Sequence, residues 1–192
     1  MKWGCRIWWE RNLKTNDRAF GQIAGVPEFG LCPALRNFVI RISPVKTLII
    51  GYGNQSRRDD GVGWFVLEQL AALKLPGVEL ETAQQLEVEA AETISRYDAV
   101  IFVDAAIPEA PEPVQRTVVT PNFQSHAAAH YLTPADVLSL CQTLYHREPK
   151  AVLFSIRGRD FNFGTTLTPE VEQAAREVVK QIAEIIRSGG NF

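Results

Sequence analysis

Hydrophobic and polar positions fall into two regimes along the chain. Up to residue 45, glycines and prolines interrupt every run and no period holds. From Lys46 onward, short apolar runs alternate with amphipathic stretches. "KTLIIGY" is a continuous apolar run of the kind buried on both faces of a sheet. The next stretch, "GVGWFVLEQLAALKL", places Val62, Phe65, Val66, Leu70 and Leu73 at helical spacing. "VELETAQ" alternates as a strand, "EVEAAETISRY" predicts a short helix, and "AVIFVDAA" predicts a second buried strand ending at Asp104. After the proline-rich "PEAPEP" come an extended segment, "VQRTVVT", and a helix, "TPADVLSLCQTLYH". That helix carries Thr133 as N-cap, Pro134 in its first turn and Asp136 at the third position. "AVLFSIRG" is the fifth strand. The closing helix "TPEVEQAAREVVKQIAEIIRS" again opens on Thr-Pro and stops at Gly189-Gly190.

Strands alternating with helices predict an α/β fold. The expected form is a three-layer α/β/α sandwich around a mainly parallel, five-stranded twisted sheet, phosphorylase- or hydrolase-like in outline. The expected domains are a poorly structured N-terminal extension, residues 1–45, and a single α/β domain, residues 46–192. Met1 is the only methionine. Val45, just before "KTLII", is therefore the position where a GTG start codon would yield the domain alone. The intact mass of the natural protein decides this.

Composition narrows the function classes. The 192 residues are 46% apolar and 22% charged, with a formal net charge of −2. This is an ordinary globular balance with no overall basic bias toward nucleic acid. No run approaches the ~20 apolar residues of a membrane span. Charge is uneven: residues 1–45 hold seven Lys/Arg against three Asp/Glu, and the remainder 13 against 19. Cys5, Cys32 and Cys141 are too few and too scattered for a disulfide framework or a CxxC zinc site, so reduced thiols in a cytoplasmic protein are expected. Cys141 lies mid-helix and reads as core.

In a parallel α/β sheet the chemistry gathers beyond the carboxyl ends of the strands. That rule selects the segment after Gly51, Asp104, the loop after Thr120 and the loop after Ile156. The first of these, "GYGNQSRRDDGVG", has neither the spacing of a dinucleotide fingerprint nor that of a P-loop, and its paired acids would repel a pyrophosphate. Asp59 and Asp60 stand just before a helix. Both could serve as caps, the blander reading, or one could cap while the other faces the cleft. Asp104, at the mouth of an apolar strand, shifts the balance toward a cation site. His126 and His130, in "SHAAAH", are expected on the same carboxyl side. His146 follows a helix end and is explained by the helix dipole. Two carboxylates and one imidazole suit a borderline divalent metal such as nickel or zinc.

At these residues the chain resembles the hydrogenase maturation proteases, over about Lys46 to Arg187. "IIGYGN…DDGVG" looks like that family's opening motif and "VIFVDA" like its second. "HYLTPADVL" looks like its histidine segment, and "SIRGRDFNFGTTLTPEV" like its closing loop and helix start. The resemblance implies an endopeptidase that removes the C-terminal extension of a [NiFe] hydrogenase large-subunit precursor after nickel insertion. It implies Asp60, Asp104 and His130 as metal-binding and catalytic residues, with His126 as the second choice for the histidine. The nickel would be carried by the substrate, or another divalent metal would take its place. The expected protein is a cytoplasmic monomer. Asn54, Asp59, Arg57 and Arg58 are expected to shape the loop or meet the substrate, although the two arginines also read as exposed, solubilising charges. Two features depart from the pattern: Gln55-Ser56-Arg57-Arg58, where apolar residues are common, and the leader. The rival readings are a non-catalytic nickel-sensing checkpoint for hydrogenase assembly and a phosphorylase-like enzyme.

Overall fold

The computed structural model describes residues 45–123 and 132–189. The leader, His126 and His130 lie outside the described residues. Five strands form one sheet: β1 (Thr47–Tyr52), β2 (Val78–Ala83), β3 (Ala99–Ala106), β4 (Val114–Val119) and β5 (Lys150–Arg157). Their spatial order is β2-β1-β3-β5-β4. β1, β2, β3 and β5 are parallel, whereas β4 runs antiparallel to β5 along the edge. Four helices cover the sheet: α1 (Val62–Leu73), α2 (Ala90–Ile94), α3 (Pro134–Tyr145) and α4 (Pro169–Arg187). α2 is shorter than the sequence predicts, because tight turns carry the chain on both sides of it. No helix among the described residues is long and apolar enough to cross a membrane.

The two-residue period of a strand sends alternate side chains to opposite faces, and the core divides accordingly. Ile49, Ile101, Val103 and Phe154 meet α1 and α4 on one face. Leu48, Ile50, Val100 and Phe102 meet α2 and α3 on the other. α4 presents Val171, Ala175, Val178, Ile182 and Ile185 to the sheet, steps of four and three residues that keep one stripe inward. Cys141 is buried in the second core, as expected of a small apolar residue.

The antiparallel β4 corrects one expectation. Val114 lies opposite Ile156 and Val119 opposite Ala151, so β4 ends at the amino edge of its parallel neighbours. The loop after Thr120 therefore starts at the far side from the carboxyl edge, not on it. Nearest the carboxyl edge are the residues that reopen the chain after this loop, Leu132 and Thr133, at the start of α3.

Candidate functional site

The start of α1 is pressed onto the sheet. A Cβ on Gly63 would come 2.8 Å from the backbone N and O of Tyr52 and from the O of Val103. Only glycine permits this approach, which seats the loop before α1 over the ends of β1 and β3. Gly53 leaves β1 with φ 130°, a conformation that L side chains rarely adopt. Trp64 fastens the turn: its indole N–H donates to the carbonyls of Gly53 at 2.9 Å and Ala83 at 3.2 Å.

The two adjacent aspartates then part company. Asp59 is fully buried. Its carboxylate accepts four hydrogen bonds: from the backbone N–H of Arg159 and of Asp160 (both 2.9 Å), from the N–H of Thr168 (2.7 Å) and from the Thr168 hydroxyl (3.0 Å). Neither aspartate caps α1, whose N-cap is Gly61 with no side-chain cap bond. Asp59 instead captures the residue that precedes α4 and holds the loop after β5 against the loop after β1. The two arginines complete that junction. The Nε–H of Arg57 donates to the carbonyl of Phe161 at 3.1 Å. The backbone N–H of Arg58 donates to the carbonyl of Gly164 at 2.9 Å, and its guanidinium pairs with Asp160 at 3.2 Å. Arg58 thus holds the fold together rather than serving as a free solubilising charge. Its Nε is the buried side-chain polar atom left without a partner among the described residues, covered by Gly164.

Asp60 faces the other way. Among the described residues it accepts one hydrogen bond, from the N–H of Asn54 at 3.0 Å, while the Asn54 side chain accepts from the N–H of Ser56 at 2.9 Å. Asp60 lines a cavity of about 580 Å³ with Tyr52, Asn54, Arg57, Asp104, Leu132 and Thr133. Asp104 enters from the end of β3, on the same face as Val100 and Phe102. Burial pushes its carboxyl up to about 6, and the negative charge of Asp60 adds to the rise. The Tyr52 hydroxyl and the Ala105 N–H, the latter at 2.8 Å, donate to Asp104 and offset part of it. Tyr52 is itself held well above the usual tyrosine range, first by burial and then by the charge of Asp104. Tyr52 went unnoticed in the sequence, although positions 48, 50 and 52 share one face and the signal was there to read.

Across the cavity, Thr133 and Asp136 form the expected capping box. The Asp136 N–H donates to the Thr133 hydroxyl oxygen at 3.3 Å and the Thr133 N–H donates to Asp136 at 2.9 Å. His146 sits exposed at the C-terminal cap of α3, in left-handed geometry and away from the cavity.

The fit to a cation rests on Asp60 and Asp104. They share one cavity, and none of the ion pairs among the described residues involves either of them. A partly buried carboxylate beside a second acid gains from any positive charge brought between them. No group of three His, Cys, Asp or Glu able to hold a metal ion occurs among the described residues. The described part of the site therefore offers two ligands, both hard oxygens, and leaves further positions to a donor from elsewhere.

No protein-family model matches the chain, and no curated protein matches it. Solved structures do. HycI from Thermococcus kodakarensis, described as a [NiFe] hydrogenase maturation protease, is 24% identical with a TM-score of 0.61; the match covers 76% of this chain and 95% of that one. The hydrogenase maturating endopeptidase HybD from E. coli is 21% identical with a TM-score of 0.60, covering 75% and 94%. A hydrogenase 2 maturation peptidase from a Thaumarchaeota archaeon is 21% identical with a TM-score of 0.55, covering 74% and 98%. The near-complete cover of these chains and the five-stranded α/β architecture establish that this protein has the fold of the hydrogenase maturation proteases.

Proposed function

We propose that the protein is an endopeptidase that removes the C-terminal extension of a [NiFe] hydrogenase large-subunit precursor once nickel has been inserted. The observation that carries this reading is the placement of Asp60 and Asp104. Asp60 stands in the turn beyond β1 and Asp104 near the carboxyl end of the adjacent β3, in one open cavity, with neither paired to a basic side chain among the described residues. The nickel arrives as part of the substrate. Asp60 and Asp104 offer it oxygen ligands and His130 offers the third, nitrogen donor. His130 is two residues from the cavity-lining Leu132, a span of at most about 7 Å, whereas His126 is six residues away. That difference in reach supports His130 over His126.

A divalent ion held there supplies positive charge that polarises a carbonyl or acidifies a water. The rest falls to the chain. Burial raises the Asp104 carboxyl to about 6 in the protein without an ion, and a cation beside it favours the ionised form that can take a proton. Tyr52 holds that carboxylate in place through its hydroxyl. Water adds to the scissile carbonyl carbon and gives a proton to the carboxylate. The C–N bond breaks, and the departing amine takes the proton.

The test is trimming of purified, nickel-loaded precursor, read as a mass decrease. Asp60→Asn, Asp104→Asn and His130→Ala should each stop it while leaving the fold intact. Full trimming by the Asp104→Asn protein would overturn the scheme. Binding by the wild-type protein with no change in precursor mass would instead mark a nickel-sensing checkpoint.

A further inference from the structure

The loop from Asn54 to Gly61 is a wall with two sides. Asn54, Arg57 and Asp60 line the cavity of Asp104. Gln55, Arg58 and Gly61 line a second cavity, of about 440 Å³, on the other side. The three-residue alternation continues into the 3₁₀ turn Arg58–Gly61 that ends the wall. Trp64, Phe65 and Glu68 of α1 form one flank of the second cavity, and Thr166 and Leu167, just before α4, form the other.

Its chemistry is distinct from that of the first cavity. Two aromatic rings and a leucine supply rigid apolar surface, the composition on which binding energy concentrates at protein interfaces. Glu68 is exposed and enters none of the hydrogen bonds or ion pairs found among the described residues, whereas Glu172 and Arg58, at the same cavity, are each paired. Beside it, two residues before the cavity-lining Thr165, Phe163 is 88% exposed. The backbone on either side of Phe163 is held by hydrogen bonds. The Asn162 N–H is bonded to Asp160 at 2.9 Å and the Gly164 N–H to the Ser56 carbonyl at 2.9 Å.

We propose that this second cavity is an exosite for an extended segment of the protein substrate. The segment places an apolar side chain against Trp64, Phe65 and Leu167 and a Lys or Arg opposite Glu68. From there it crosses the ridge of the loop toward the cavity of Asp60 and Asp104. Two features point to a substrate segment as the occupant: the wall shared with the candidate active site, and Glu68, which has no partner among the described residues. The wall itself is fixed, because Asp59 fastens it to the loop after β5. The inference rests on the endopeptidase reading above.

Glu68→Lys removes the charge match, and Thr166→Trp fills the cavity from an exposed position. Neither touches Asp60, Asp104 or Tyr52. With nickel-loaded precursor, each should raise KM roughly tenfold at unchanged kcat, the signature of lost uniform binding. An unchanged KM in both variants overturns the exosite and leaves the endopeptidase reading standing. A fall in kcat at constant KM also overturns it, since the wall would then be acting on chemistry alone. A wild-type protein that neither binds nor trims the precursor removes the reading and the exosite together. Light scattering completes the test: a second copy of the chain as occupant would show as a dimer that Thr166→Trp dissolves, and that result too overturns the proposal.

Discussion

Asp59 and Asp60 are neighbours in sequence and opposites in environment. The protein surrounds Asp59 with four donors, buries it completely and leaves it nothing further to bind. On the cavity side, among the described residues, Asp60 has a single backbone donor and Asp104 only the Tyr52 hydroxyl and the Ala105 N–H. A carboxylate whose lone pairs are filled by its own chain is part of the scaffold. One left short of donors, in a cavity beside another acid, is open to a ligand. Burial alone does not separate the two roles; the donor count does.

The largest expected effect breaks the scaffold side. Asp59→Ala leaves the N–H groups of Arg159, Asp160 and Thr168 without their acceptor and should cost about 3–5 kcal/mol in urea unfolding. Asp60→Ala frees only the Asn54 N–H and should cost about 1 kcal/mol or less while stopping trimming. Equal losses from the two would erase the contrast.

The next prediction concerns Asp104 and has the opposite sign. Its folded pKa is raised above the unfolded value, so the unfolded state releases its proton first as pH rises. The protonated carboxyl contributes stability below about pH 4, and that contribution is lost as pH climbs through about 6. In metal-free protein, Asp104→Asn should remove this decline and raise stability at pH 7 by about 3 kcal/mol. Thermal melts across pH 4 to 7 would reveal it. A variant with the same pH slope as wild type would mean that the cavity does not strain Asp104.

Tyr52→Phe is a finer probe. Losing the hydroxyl should cost about 1 kcal/mol and push the Asp104 carboxyl higher still in the metal-free protein, moving the pH-dependent part of its thermal melts to more alkaline pH. The smallest effect belongs to Arg57→Ala, which loses one bond to Phe161 at the surface and should cost about 0.5 kcal/mol, read by thermal melting.

These contrasts were unevenly written in the sequence. Continuous apolar runs marked β1, β3 and β5, and Thr-Pro marked the starts of α3 and α4. Asp60 and Asp104 could be picked out because strand ends locate chemistry in parallel α/β sheets. The division of labour within the Asp-Asp pair followed only from the family resemblance; the local pattern left it open, because the donors to Asp59 lie about a hundred residues downstream. The arginines were opaque for the same reason: Phe161, Asp160 and Gly164 have no local signature as their partners. The direction of β4 escaped because a seven-residue link from β3 does not specify which strand β4 will pair with. That is a tertiary outcome, set by β5.

Sheet order has a consequence for the order of synthesis. β5 occupies the position between β3 and β4, yet it is the last strand to be made. Until it emerges from the ribosome, β4 has no strand to pair with and β3 exposes an open edge. Asp59 waits longer, for residues 159 to 168. A nascent chain halted between β3 and α4 would therefore already contain Asp60 and Asp104 but could not fix the wall that separates the two cavities. The residues of the site are made early, and the junction that holds them is closed by residues made about a hundred positions after Asp59.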